Sequence, residues 1–299
     1  MGISSAPGNY LVSYLPGHPG YEPGDSDYAG YIHLPTPYGA INLRIHVNGP
    51  DDVSNVTALQ TQFVLTPGPA HHQIAPQLTN SLLSEGLSTD VPEKILQLTA
   101  RLSPFCLPEV ASDIPVVTAT LRTAGLSRGS YSPPSWVNLP SATAAAIAKI
   151  TTVLHADSST YFMDLGNQWS RLQDKYSGNF KTHYVVRAFV AAQGYLQLTS
   201  EQAQYPSYNV TEILTSDASY TLTFDSNSAR AKGFWSITVY DEKGCLIENP
   251  WNIYSVGDRS SIKNVNGELV YGSSRGSGGK FIILLQSLDY PPSRRYQSK

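Results

Sequence analysis

Polarity alternates at every second position through Tyr28-Ala-Gly-Tyr-Ile-His-Leu34 and again through Ala40-Ile-Asn-Leu-Arg-Ile-His-Val47. Pro35-Thr-Pro-Tyr-Gly39 between them has the composition of a turn, so the pattern predicts a β-hairpin. Its apolar face would carry Ile32, Leu34, Ile41, Leu43, Ile45 and Val47, and its polar face Tyr31, His33, Asn42, Arg44 and His46. Residues 1–27, with many Gly and Pro and scattered Tyr, read as an extended arm. Thr61-Gln-Phe-Val-Leu-Thr66 reads as a third strand that stops at Pro67-Gly68.

The middle of the chain changes period. Asp90 with Pro92 and Glu93 behind it is a helix start, predicting a helix from Val91 to Leu102. Pro115-Val-Val-Thr-Ala-Thr-Leu121 is β-branched and reads as a strand. Ser141 is expected to cap an Ala-rich helix to Leu154, and Ser158 or Ser159 another to Tyr176. A further helix, Tyr184 to Leu198, is apolar nearly all round and is expected to be buried.

Beyond Tyr208 the period of two returns. Ser219-Tyr-Thr-Leu-Thr-Phe224 and Phe234-Trp-Ser-Ile-Thr-Val-Tyr240 alternate, Asp241-Glu-Lys-Gly244 suits a hairpin loop, and Asn266-Gly267 is a strong hairpin signal. Phe281-Ile-Ile-Leu-Leu285 is apolar throughout, as a central strand covered on both faces would be. These features predict a mainly β chain with an added helical layer: an arm over 1–27, a β region with the helical layer over 28–204, and an antiparallel jelly-roll-like sandwich over 205–299.

Composition agrees with this and excludes some partners. The 299 residues include 19 Tyr, 21 Pro and 23 Gly, while charged residues make up only 14%. A net charge of -3 and the lack of any Lys/Arg run argue against nucleic acid. No apolar stretch approaches the ~20 residues of a membrane span, and the first residues have neither a basic nor an apolar leader segment. A soluble protein is expected, cytoplasmic or secreted, with sequons at Asn55 and Asn209. Cys106 and Cys245 could pair, but buried thiols are the simpler expectation.

Phe234-Trp-Ser-Ile-Thr-Val-Tyr-Asp241, Glu248-Asn-Pro250 and Tyr254-Ser-Val-Gly-Asp-Arg-Ser260 together resemble the proteins that pair two domains of unknown function, numbered twelve fifty-four and twelve fourteen. The resemblance extends over about Tyr205 to Pro291. Nearer the start, where that family usually shows Pro-Asn-x-Asp-Thr-x-Tyr, this chain has Pro23-Gly-Asp-Ser-Asp-Tyr28. The resemblance implies a β-rich N-terminal region with helices followed by a jelly-roll-like sandwich. Fungal members of such families often sit in natural-product gene clusters, and the Tyr, Pro and Ser richness here is similar to fungal proteins.

Several residues are candidates for chemistry. On the predicted hairpin, His33 and His46 could exchange protons near neutral pH, and Tyr31 and Arg44 could steady a developing negative oxygen, although a solvated sheet face gives the same pattern. Phe234, Trp235 and Tyr240 could line an apolar ligand site, or simply mark a sheet covered on both sides. Gly125-Leu-Ser-Arg-Gly129 matches a nucleophile elbow, but Pro133-Pro134 forbids the helix the elbow requires. His71-His72, His155-Ala-Asp157 and Gly278-Gly-Lys280 imitate metal and phosphate sites without the remaining ligands. Asp258 and Arg259 suit a turn-fixing ion pair. The expected function is therefore a cofactor-independent isomerase, cyclase or lyase acting on a mostly apolar small molecule in secondary metabolism, using no metal. A carbohydrate- or lipid-binding protein and a hydrolase are the alternatives.

Overall fold

The computed structural model describes residues 6–43, 45, 47–68, 74–208, 220–223, 234–241, 245–249, 252–257, 260, 268–271 and 282–288. The chain divides into two compact units, residues 3–149 and 150–299. Both β sheets and helices are present, and helices take a larger share than the strand-like patterning suggests. Among the described residues, no helix is long and apolar enough to cross a membrane.

The first unit opens with β1 (Tyr10–Tyr14), β2 (Gly20–Pro23) and β3 (Gly30–Leu34). The expected arm thus supplies two strands. They form one sheet in the order β1-β3-β2, with β3 parallel to β1 and antiparallel to β2. Among the described residues the expected pairing of β3 with 40–47 is not found, and both edges of β3 are taken by strands from the Gly/Pro-rich arm. Ile41 and Leu43 are instead exposed in an irregular segment. Gly30 is buried beneath the Tyr10 and Tyr21 rings; a Cβ there would lie 2.6 Å from Tyr21, which explains why glycine starts the central strand.

Four helices follow: α1 (Val53–Gln60), α2 (Asn80–Ser84), α3 (Val91–Leu102) and α4 (Ile114–Thr123). Helix α3 matches its predicted bounds, and the Asp90 carboxylate accepts the Glu93 amide at 3.0 Å as an N-cap. Arg101 on α3 donates to the Leu82 and Glu85 carbonyls, satisfying acceptors at the end of α2. The segment expected as a strand at 115–121 is α4: Pro115 occupies the first turn, where a missing N–H costs nothing, and Gly125 at φ 89° follows the end. The strand expected at 61–66 is instead a turn and an irregular segment following α1; Val64 and Leu65 are 80% and 79% exposed. Two short strands, β4 (Leu126–Ser127) and β5 (Ser130–Tyr131), make a tight hairpin. Arg128 and Gly129 between them have φ of 51° and 78°, the left-handed pair of a two-residue hairpin turn. Ser127 therefore sits in a hairpin and in no nucleophile elbow. Ala100 of α3 and Leu126 of β4 are buried where these elements pack.

The division between units falls within α5 (Leu139–Ala156), which Asn138 caps by accepting the Ser141 amide. The helix expected from 158 to 176 is replaced by one turn, α6 (Ser158–Tyr161), and a hairpin of β6 (Phe162–Gly166) and β7 (Trp169–Leu172). Asn167 and Gln168 take φ of 48° and 66° at its turn. Helix α7 (Tyr184–Gly194) points Val186 and Val190, four residues apart, into the core, while Tyr184 and Val185 are exposed; it is buried on one face only. The core of the second unit comprises Leu154, Leu172, Tyr176, Val186 and Val190, surrounded by Phe162, Phe180 and Phe189.

The strands β8 (Ala203–Gln204), β9 (Ser207–Tyr208), β10 (Tyr220–Thr223), β11 (Trp235–Tyr240), β12 (Ser255–Gly257), β13 (Glu268–Tyr271) and β14 (Ile282–Leu288) follow. Seven strands form an antiparallel sheet ordered β12-β11-β14-β9-β7-β6, with β8 also on β14; β10 and β13 pair separately. The run expected to be a central strand is β14, hydrogen-bonded on one side to β11 and on the other to β8 and β9. The sheet takes strands from both sides of residue 205. After β11 the Asp241 amide donates to the Cys245 carbonyl at 2.9 Å, while Glu242-Lys-Gly244 of the expected hairpin loop lie outside the described residues. Asn266-Gly267 and Asp258-Arg259 lie outside the described residues. Cys106 is half-buried and Cys245 exposed, so the expectation of two buried thiols does not hold.

Leu154 is 1% exposed at the centre of this second core. Truncation by Leu154→Ala is expected to destabilise the protein by about 2–5 kcal/mol, read as a lower urea midpoint with unchanged slope. A loss below about 1 kcal/mol would show that the Leu154 cluster does not carry the unit.

Candidate functional site

The first unit's three-stranded sheet sorts its side chains by the strand period. Gly30, Ile32 and Leu34 of β3 lie in register with Tyr10, Val12 and Tyr14 of β1 and share their face. Tyr31 and His33 project from the other face, in register with Leu11 and Ser13 of β1; Glu22 and Gly20 oppose them on β2. The predicted division between Ile32/Leu34 and Tyr31/His33 is therefore present, although the flanking strands are different ones.

His33 is at the centre of the polar face. Its Nδ1 lies 2.8 Å from the Ser13 hydroxyl, and its Nε2 lies 3.6 Å from the Glu22 carboxylate. The imidazole is 11% exposed and Glu22 62%, so the ring is held largely out of solvent with a solvated carboxylate at its outer edge. The Tyr31 ring stacks alongside at 6.3 Å, nearly parallel to the imidazole, and meets Tyr28 edge-on at 5.6 Å.

Asp25 fixes the other end of this row. One carboxylate oxygen accepts the Asp27 and Tyr28 amides at 2.9 and 3.2 Å, and the Asp25 amide donates to the Tyr28 carbonyl at 3.0 Å, which closes the turn between β2 and β3. The second oxygen accepts the Tyr31 hydroxyl at 2.5 Å. That bond, followed by the two amides, holds the Asp25 carboxyl below its ordinary range. The same bond pushes the Tyr31 phenol up to about 12, so it stays protonated throughout the physiological range.

Of the sequence-predicted catalytic residues, Tyr31 and His33 are brought together; Arg44 and His46 lie outside the described residues, as do His71 and His72. Sequence reasoning missed Ser13, Glu22 and Asp25. The signal that could have found Asp25 is Asp25-Ser-Asp-Tyr28, a turn motif whose first residue bonds amides two and three positions on. In the second unit, Phe234, Trp235 and Tyr240 are half-buried on or beside β11, with Trp235 and Tyr240 in register with Ser287 and Ile282 of β14. Gly257 of β12 passes so close that a Cβ there would lie 2.1 Å from the Trp235 carbonyl oxygen, which accounts for glycine in the Tyr-Ser-Val-Gly segment.

Family models match at both ends: "Protein of unknown function (DUF1254)" over residues 2–67 and "Protein of unknown function (DUF1214)" over residues 203–278. The chain belongs to the family that pairs these two domains. All five residues of the polar network, Ser13, Glu22, Asp25, Tyr31 and His33, fall inside the DUF1254 match, and β8 to β13 fall inside DUF1214. No curated protein matches the chain. Among solved structures, the VPA0106 protein from Vibrio parahaemolyticus is similar at 14% identity and a TM-score of 0.40, over 84% of this chain. The match spans 65% of that protein's length.

The Tyr31–Asp25 bond can be read directly by titration. Its contribution to stability is fully present between the two ordinary pKa values. It is lost as pH falls below 3.8 through the depressed Asp25 value, or rises above 10 through the raised Tyr31 value near 12. The absorbance change at 295 nm that Tyr31→Phe removes is expected to have a midpoint near 12, moving toward 10 in Asp25→Asn. A midpoint near 10 in both backgrounds would show that the bond does not form.

Proposed function

We propose that this protein is a cofactor-independent enzyme, an isomerase, cyclase or lyase, that acts on a mostly apolar small molecule of secondary metabolism by proton transfer at the polar face of the first unit. The observation that carries the reading is the placement of the His33 imidazole between the Ser13 hydroxyl and the Glu22 carboxylate. A carboxylate at one ring nitrogen favours the tautomer with its proton there, leaving the other nitrogen to accept. A base of this kind can remove a proton next to a carbonyl, while Tyr31, whose one hydroxyl proton goes to Asp25, offers its ring face beside the imidazole to hold an apolar substrate. Phe234, Trp235 and Tyr240 are proposed as apolar ligand contacts of the second unit, whose antiparallel sheet and β10–β13 pair are read as layers of a jelly-roll-like sandwich.

The reading is tested with a small apolar ketone, 2-tetralone, in deuterated buffer. The protein is expected to speed deuterium incorporation next to the carbonyl, and His33→Ala to slow it about a hundredfold while circular dichroism stays unchanged. Equal exchange with and without the imidazole would remove His33 from any such mechanism.

A further inference from the structure

We infer that Ser13 is a nucleophile and that the Ser13–His33–Glu22 row performs acyl transfer on neutral esters with an apolar acyl group. The inference rests on the reading of His33 as a proton-transfer group and adds the atom it activates. Three strands bring the three roles together: the hydroxyl from β1, the imidazole from β3 and the carboxylate from β2. The Ser13 hydroxyl is 2.8 Å from Nδ1, within reach for proton transfer, and the Glu22 carboxylate lies 3.6 Å from Nε2 on the far side of the ring. Nucleophile, base and orienting carboxylate are recognised by these roles and distances, whatever their order along the chain. The match to the elbow motif at Ser127 plays no part, since that serine sits in the β4–β5 hairpin.

The step balances without a further reactant. Ser13 Oγ forms a bond to the ester carbonyl carbon as its proton passes to His33 Nδ1. The bond from that carbon to the alkoxy oxygen then breaks, and the leaving alkoxide takes the proton from Nδ1. Water attacks the acyl-serine by the same route in reverse, giving its proton to Nδ1 and releasing the acid, while the proton returns to Ser13 Oγ. In each half the Nε2 edge of the ring faces the Glu22 carboxylate, which orients Nδ1 toward Ser13. Substrate class follows from the neighbours: Glu22 and Asp25 disfavour an anion, while Leu11 and the Tyr31 ring beside Ser13 and His33 offer apolar surface.

The test uses the full chain with a fluorophosphonate probe and p-nitrophenyl butyrate. Peptide mass spectrometry is expected to find the phosphonyl group on Ser13, labelling is expected to vanish in Ser13→Ala, and ester turnover should fall about a hundredfold in His33→Gln. Glu22 is 62% exposed, so Glu22→Gln should fold normally and still slow labelling about tenfold. Labelling that is absent from Ser13, or equally fast in Glu22→Gln and His33→Gln, would overturn the inference. Deuterium exchange into 2-tetralone by an unsubstituted protein whose Ser13 takes no label would overturn the nucleophile alone, whereas an unsubstituted protein with neither activity would remove His33 as a base as well.

Discussion

Hydrogen bonding of Gly30–Leu34 on both edges is the constraint from which the first unit's polar face follows. A strand paired on one side only can slip by a residue and exchange its faces; a strand held by β1 and β2 at once cannot, because both ladders would have to break together. The fixed register keeps Tyr31 and His33 on the face opposite Ile32 and Leu34, and it decides which flanking residues meet them. Ser13 reaches His33 because it is its register partner on β1, and Glu22 is nearby because β2 runs antiparallel from the other side. Nothing in the sequence near His33 supplies these partners; the sheet does.

The sheet depends in turn on residues that carry no chemistry. Gly30 lets the Tyr10 and Tyr21 rings close over the start of β3, and the Asp25 turn sets where β3 begins after β2. Asp25 acts in both capacities, because one carboxylate oxygen builds the turn and the other receives the Tyr31 hydroxyl. The position of Tyr31 and the closure of its own hairpin are therefore one structural event.

Where a local signal and the tertiary environment agreed, the sequence was readable. Asp90 with Pro92 and Glu93 defined α3 to the residue, and the apolar run near Ile282 marked the strand at the middle of the large sheet. Readings failed where β-branched content outweighed the end signals, as at α4, where Pro115 and Gly125 bracket a helix through Val-Val-Thr. They failed again where a turn lacked glycine at its central pair, as at Asn167-Gln168, so that a hairpin was read as a helix. The 40–47 segment alternates as a strand should, but alternation states only which face a residue would take and says nothing about whether an edge is free to receive it.

The site was legible to the same extent and for the same reason. Period-two spacing is a property of a single strand, so it placed Tyr31 and His33 on one face before any partner was known. Ser13 and Glu22 belong to strands read as an arm, and their distance from His33 in sequence carries no information about their distance in space. A histidine acquires a direction only when its two nitrogens meet unlike groups. Here one side meets a hydroxyl that can lose a proton and the other a carboxylate that can only accept one. That asymmetry arises from topology, because only a strand with two different neighbours can present it.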